Sequence, residues 1–239
     1  TVEHSAVLKT AEYLQRFGVQ VTQLKVDSYG RLDLQELKAA IQPNTKMIAV
    51  MAVNNEIGNS YPVKDIGALA QENGITYLCD AVQWVGKSVL SLQNYPIDLL
   101  AASAHKFHGP KGIGLLYVRA GLDIIPFHWG GAPEQRRRAG TEDVASGVAM
   151  AKALDMALKQ AETSQKLLKT LTDQLQNGLS AEIEDIRLLG DPENHIPGTL
   201  GFTVPGLSGE ELVIHLDQEG VAVSTGAACE SGSTDHDLF

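Results

Sequence analysis

Three short polar segments each follow an apolar segment that has the character of a buried strand. They are 54–58 (NNEIG), 80–83 (DAVQ) and 103–106 (SAHK). Ligands of open α/β sheets bind beyond the carboxyl ends of the strands, so polar side chains there are expected to meet at one edge. Any one segment could be an ordinary polar loop, but three in succession favour a binding site.

Two of these side chains, Asp80 and Lys106, indicate a specific chemistry. A lysine at a buried strand end can act as a Schiff-base nucleophile or a proton carrier, although most lysines are simply solvated. A buried carboxylate needs a cationic partner, and the protonated nitrogen of a pyridine ring is one. Enzymes that use pyridoxal phosphate need this pair of groups. The pair therefore predicts a site for that cofactor.

Other polar side chains could hold the rest of the cofactor. Ser103 and His105 flank the lysine closely enough to donate to a phosphate. Asn55 and Gln83 can hydrogen-bond to the ring hydroxyl. His4 is a candidate to stack on the ring, although a lone histidine is more often structural.

Composition and charge exclude several classes of partner. Of the 239 residues, 44% are hydrophobic and 20% charged, as in globular proteins. The 19 Lys and Arg against 29 Asp and Glu leave a net charge of −10, which argues against nucleic acid or an anionic membrane. No apolar run approaches a membrane-spanning length. The cysteines Cys79 and Cys229 cannot build a disulfide framework and are predicted to be reduced thiols of a cytoplasmic protein.

Hydrophobic periodicity predicts alternating helices and strands. Asp33 is expected to cap a short helix that ends at Ile41. The other predicted helices cover 5–17, 63–73, 142–177 and 208–219. The predicted strands cover 19–26, 47–53, 75–79, 99–103, 114–118, 200–204 and 221–224. This order is typical of an α/β fold with a mainly parallel sheet and helices on both faces. We expect a large domain over 1–141 and a smaller α+β domain over 142–239.

Six sequence blocks, in order along the whole chain, make it similar to cysteine desulfurases of the NifS/IscS type. These blocks are 3–7 (EHSAV), 54–58, 80–83, 103–112 (SAHKFHGPKG), 138–141 (RAGT) and 224–229 (STGAAC). The resemblance implies a fold-type I transferase dependent on pyridoxal phosphate and working as a homodimer. The chain starts at Thr1, without an initiator Met, and stops at Phe239 in a polar segment, so we expect an internal fragment with weak or no turnover by itself.

The resemblance implies a role for each side chain around the cofactor ring. Lys106 would carry the cofactor as a Schiff base and later move the substrate's α-proton. Asp80 would pair with the pyridine nitrogen. Gln83 and Asn55 would hold the ring. His4 would stack on the ring and take part in proton transfer.

The resemblance also implies how the phosphate and the sulfur are handled. Ser103 and His105 would bind the phosphate, and Thr141 would reach the phosphate held by the other subunit. Cys229 would take sulfur from L-cysteine as a persulfide, releasing L-alanine. The persulfide would supply a sulfur-acceptor or iron–sulfur scaffold protein. Cys229 could also be a transient iron–sulfur ligand; no other metal ligand is predicted.

Several alternatives stay open at this point. A selenocysteine lyase or another class V aminotransferase would share the lysine and the aspartate but would not need Cys229. An inactive remnant is the non-enzymatic alternative. Glu230 stands where a small hydroxyl residue is usual, and its charge would make the Cys229 thiolate scarcer. The segment 86–88 (GKS) lacks the earlier glycine of a phosphate-binding P-loop, and His105 with His108 is too small a set for zinc.

Overall fold

The computed structural model describes residues 2–226, and these fall into two compact units. One unit, the sheet unit, consists of Asn44–Ala52 and Val63–Glu162. The other, the small-sheet unit, contains 2–43, Val53–Pro62 and 163–226. The predicted domain boundary between residues 141 and 142 stays a prediction.

The sheet unit is built on a four-stranded mixed sheet in the order β1-β2-β3-β4. Its strands are β1 Met47–Ala49, β2 Thr76–Asp80, β3 Leu99–Ser103 and β4 Gly114–Val118. The first three run parallel, and β4 is antiparallel to β3. Alternate residues of β2 are buried, and Tyr77 and Cys79 are fully enclosed, as the apolar setting of Cys79 predicts.

Helix α3, Val63–Glu72, connects β1 to β2 and covers the sheet with one face. That face is formed by Val63, Ile66, Gly67 and Ala70, which are buried and spaced at three- and four-residue intervals. A Cβ added at Gly67 would lie 2.5 Å from the carbonyl oxygen of Pro96, so the helix can approach this closely only with glycine there.

The small-sheet unit contains a two-stranded antiparallel sheet and three short helices. Its elements are α1 Ser5–Gln15, α2 Leu34–Ala40, β5 Arg187–Leu189, β6 Gly201–Thr203 and α5 Gly209–Gln218. Asp33 caps α2 by accepting from the backbone N–H of Gln35 at 2.7 Å, as predicted. The long helix α4, Val144–Glu182, begins in the sheet unit and continues in this one.

Most predicted elements form with small shifts in their ends, and two predicted strands are wrong. The strand predicted over 47–53 is hydrogen-bonded as a strand only over β1, although Val50 and Ala52 still donate to carbonyls of β2. Segment 19–26 is irregular. Its alternating pattern leaves Leu24 and Val26 half-buried, but no strand among the described residues pairs with it. Segment 221–224 is also irregular, and its valines stay exposed.

Candidate functional site

The carboxyl ends of β2 and β3 place two predicted site residues at one edge of the sheet. Asp80 is the last residue of β2 and Ser103 is the last residue of β3. The strands are parallel, and Asp80 lies opposite Ala101, two residues before Ser103. Parallel strands that end together bring their following turns together, which is where ligands of such sheets bind.

Lys106 lies on a tight 3-10 turn, Ala104–Phe107, that follows β3 directly. The backbone N–H of Ala104 donates to the carbonyl of Ile113 at 3.1 Å, and its carbonyl accepts from Gly109 at 2.8 Å. Ala104 and Phe107 are buried, whereas Lys106 is half-buried. The turn therefore anchors its apolar residues in the core and leaves the amine at the sheet edge.

Ser103 and His105 form a hydrogen-bonded pair beside this turn. Their Oγ and Nδ1 atoms are 2.9 Å apart. Ser103 is half-buried and His105 is exposed. Between them they carry hydroxyl and imidazole donors suited to an oxyanion.

Only one of the two carboxylate oxygens of Asp80 accepts a hydrogen bond from the described part of the chain. Its Oδ1 accepts from the backbone N–H of Val82 at 2.9 Å. Its Oδ2 accepts no hydrogen bond from the part of the chain that the structure describes. Asp80 is half-buried, and this oxygen is available to a cationic partner.

Gln83 lies in the turn after β2, and its partner is a residue that the sequence did not single out as functional. The ammonium of Lys87 donates to Oε1 of Gln83. Burial, together with the positive charge of Lys106, lowers the pKa of Lys87. In the sequence, segment 86–88 resembles only the end of a P-loop, and that resemblance does not predict a contact between Lys87 and Gln83. The sequence feature that could have indicated this contact is the four-residue spacing between Gln83 and Lys87. Such a spacing predicts a side-chain contact only within a helix.

The remaining predicted site residues belong to other segments of the chain. His4 and Asn55 belong to the small-sheet unit, where Nδ1 of His4 accepts from the backbone N–H of Ala6 at 3.1 Å and so caps α1. Asn55 is half-buried next to Asn54. Thr141 is exposed, three residues before α4. Cys229 lies outside the described residues.

Residues 2–226 contain neither a metal-binding cluster of side chains nor a candidate membrane span. No group of three or more His, Cys, Asp or Glu side chains there could hold a metal ion. No helix in this part of the chain is long and apolar enough to cross a membrane.

Comparison with known proteins decides the family. The Aminotransferase class-V family matches residues 1–236. The chain belongs to this family. The cysteine desulfurase IscS of Dictyoglomus turgidum is 40% identical over 97% of the chain. A solved NifS-like protein, 35% identical over 93% of the chain, superimposes with a TM-score of 0.89.

A further solved structure, SspA in complex with cysteine, is 30% identical over 96% of the chain, with a TM-score of 0.80. The chain spans about three-fifths of the length of these class-V relatives: 59% of the IscS protein, 61% of the NifS-like chain and 63% of SspA. The resemblance to cysteine desulfurases and the α/β fold class are thereby confirmed.

Proposed function

We propose that the protein is a cysteine desulfurase that uses pyridoxal phosphate. The observation that carries the proposal is the placement of Asp80 at the end of β2 and of Lys106 on the turn that follows the adjacent parallel strand β3. The named relatives support the reaction, and one solved relative, SspA, is in complex with cysteine.

The residues at the sheet edge fit the cofactor by their chemistry. Lys106 supplies an amine for the aldehyde, and the open Oδ2 of Asp80 supplies a negative partner for the ring nitrogen. The pair Ser103 and His105 supplies donors for the phosphate. Gln83 supplies an amide for the ring hydroxyl. When bound, the cofactor supplies an electron sink for the carbanion formed at the substrate's Cα.

Residues beyond this edge complete the proposed site. His4 and Asn55 are proposed to contact the ring, with His4 exchanging a proton there. Thr141 is proposed to reach the phosphate bound by a second copy of the chain. These three roles rest on the sequence resemblance.

In the proposed reaction, Nζ of Lys106 moves the proton of the substrate's Cα. The thiolate of Cys229 then attacks the substrate's sulfur, so that one S–S bond forms and the substrate's C–S bond breaks. L-cysteine and the thiol of Cys229 become L-alanine and a persulfide, with no outside oxidant or reductant. The persulfide sulfur is then passed to an acceptor such as an iron–sulfur scaffold protein, in the cytoplasm.

A homodimer is part of the proposal, and an exposed apolar loop supports it. Ile125, Phe127 and Trp129 lie within a stretch of five residues and are 84%, 92% and 77% exposed. Exposed apolar side chains clustered in this way are typical of a protein interface.

The function is tested by following both products in the full-length protein. We expect L-alanine and a persulfide on the peptide that contains Cys229. Cys229→Ala is expected to keep the bound cofactor and lose persulfide formation, and Cys79→Ala is the matched control that keeps it. A 2-oxoacid product, or an unchanged rate in Cys229→Ala, would contradict the proposal.

A further inference from the structure

The turn that follows β2 holds a second half-buried lysine next to the first. Lys87 lies in this turn, and its burial, together with the positive charge of Lys106, lowers its pKa. The ammonium of Lys87 donates to Oε1 of Gln83. Even partial burial of a lysine costs desolvation free energy, so a contact that holds this one close to another lysine needs a reason.

We propose that Lys87 is a positioning residue that fixes the side-chain amide of Gln83 so that its NH₂ group is the end offered to the cofactor ring. This inference rests on the proposed function, since it assigns a role within the same site.

The orientation follows from the chemistry of the two groups. A lysine ammonium has three donors and no acceptor, so it can bind only the oxygen of an amide. Once Oε1 of Gln83 is engaged by Lys87, the end that remains for other partners is Nε2 with its two N–H donors. A donor at this place stabilises the deprotonated form of the ring hydroxyl. Without Lys87, the amide is free to flip and to offer its oxygen instead.

Close packing holds the two turns in register. Gly86, next to Lys87, has φ +82°, and a Cβ placed on it would lie 2.4 Å from Cβ of Phe107. Phe107 is the residue after Lys106 and is 2% exposed. The turn with Gln83 and Lys87 is therefore packed directly on the turn that carries the reactive amine.

The test is the pH midpoint of the visible absorbance of the bound cofactor in the full-length protein. Lys87→Met is expected to move this midpoint to higher pH by about one unit, the tenfold change in proton affinity that a lost hydrogen bond or charge produces. Lys87→Arg, which keeps the cation and its donors, is expected to leave the midpoint near that of the wild type. Lys46→Met is the control for lost charge. Lys46 is exposed and directly precedes β1, at the amino end of the strand and away from the carboxyl-end site.

Gln83→Ala separates positioning from a direct effect of charge. If Lys87 acts through Gln83, Lys87→Met adds little to the shift already present in Gln83→Ala. A full additional shift in that background would overturn the proposal, and so would a Lys87→Met midpoint equal to that of Lys46→Met. If Lys87→Met does not fold, Lys87→Leu, which also lacks donors, is measured and judged by the same criteria. No visible band in the wild type would instead overturn the proposed function itself.

Discussion

Asp191 shows how one buried carboxylate is stabilised in the small-sheet unit. It is 4% exposed, and its Oδ1 lies 2.7 Å from Nη2 of Arg31. The side chain of Asn194 and the backbone N–H of Glu193 also donate to it, each at 3.0 Å. The hydrogen bond from Arg31, more than any other contact, holds the pKa of Asp191 well below its usual range.

We expect Asp191→Asn to lower the free energy of unfolding by about 2 kcal/mol at pH 7, because it removes a charge that three donors surround. The pKa of Asp191 is depressed in the folded state, so its contribution is complete above the unfolded pKa of about 3.9 and is lost as the pH falls below it. The difference between wild type and variant in urea unfolding should therefore be smaller at pH 3 than at pH 7.

Asp173→Asn is the control for this measurement. Asp173 also pairs with a cation, Lys169 at 2.7 Å, but its side chain is 52% exposed. Exposed pairs of this kind contribute about 0.5 kcal/mol or less. A loss in Asp173→Asn equal to that in Asp191→Asn would contradict the account.

The residues of the candidate site differ in how far the sequence could predict their surroundings. Asp80 and Ser103 follow apolar segments, so their positions at strand ends can be read from the pattern. The partner of Gln83 could not be predicted, because the direction of a side chain in an irregular turn depends on contacts with another segment. Lys87 was missed for this reason.

At the scale of elements, the turn after β2 needs a glycine at position 86 for two reasons, its backbone conformation and its close packing. Gly86 has a positive φ and the close approach to Phe107 described above. We expect Gly86→Ala to lower the free energy of unfolding by about 2–4 kcal/mol, through backbone strain and overpacking together.

Gly74→Ala isolates the first of these constraints. Gly74 follows α3 with φ +65°, and a Cβ added there would meet nothing within 4 Å. We expect this variant to lose only about 1 kcal/mol in the same denaturant titration. Equal losses in the two variants would show that Phe107 does not restrict Gly86.

Element prediction succeeded where burial and pairing agreed with the local pattern. Strands 99–103 and 114–118 form with the predicted bounds because they pair with each other along their whole length. Segments 19–26 and 221–224 have suitable residues but form no strand, since a strand also needs a neighbour that the local sequence does not specify.

At the scale of the whole molecule, each compact unit is assembled from segments far apart in the sequence. Within the small-sheet unit, the backbone N–H of Asp191 donates to Oδ1 of Asn59 at 2.6 Å, across 132 residues. Asn59 is 1% exposed and its amide also donates to the carbonyl of Tyr29. Periodicity reports local structure, so contacts of this length could not be predicted from it.

The proposed homodimer is a prediction at the same scale. We expect the full-length protein to have the mass of two chains in light scattering. Phe127→Ser combined with Trp129→Ser is expected to weaken that association, because both apolar side chains are exposed in the single chain. Phe17→Ser is the control, because Phe17 is 68% exposed but lies just after α1, outside this loop. A single-chain mass for the wild type would contradict the dimer.

The measurement that tests the central claim most directly is the location of the covalent bond to the cofactor. The full-length protein is incubated with pyridoxal phosphate, reduced with borohydride and digested for mass spectrometry. The account predicts that the modified peptide carries the cofactor on Lys106 and that Lys106→Ala loses it while Lys111→Ala retains it. Modification of Lys87 or of an exposed lysine in place of Lys106, or no fixed cofactor at all, would contradict the assignment of this site.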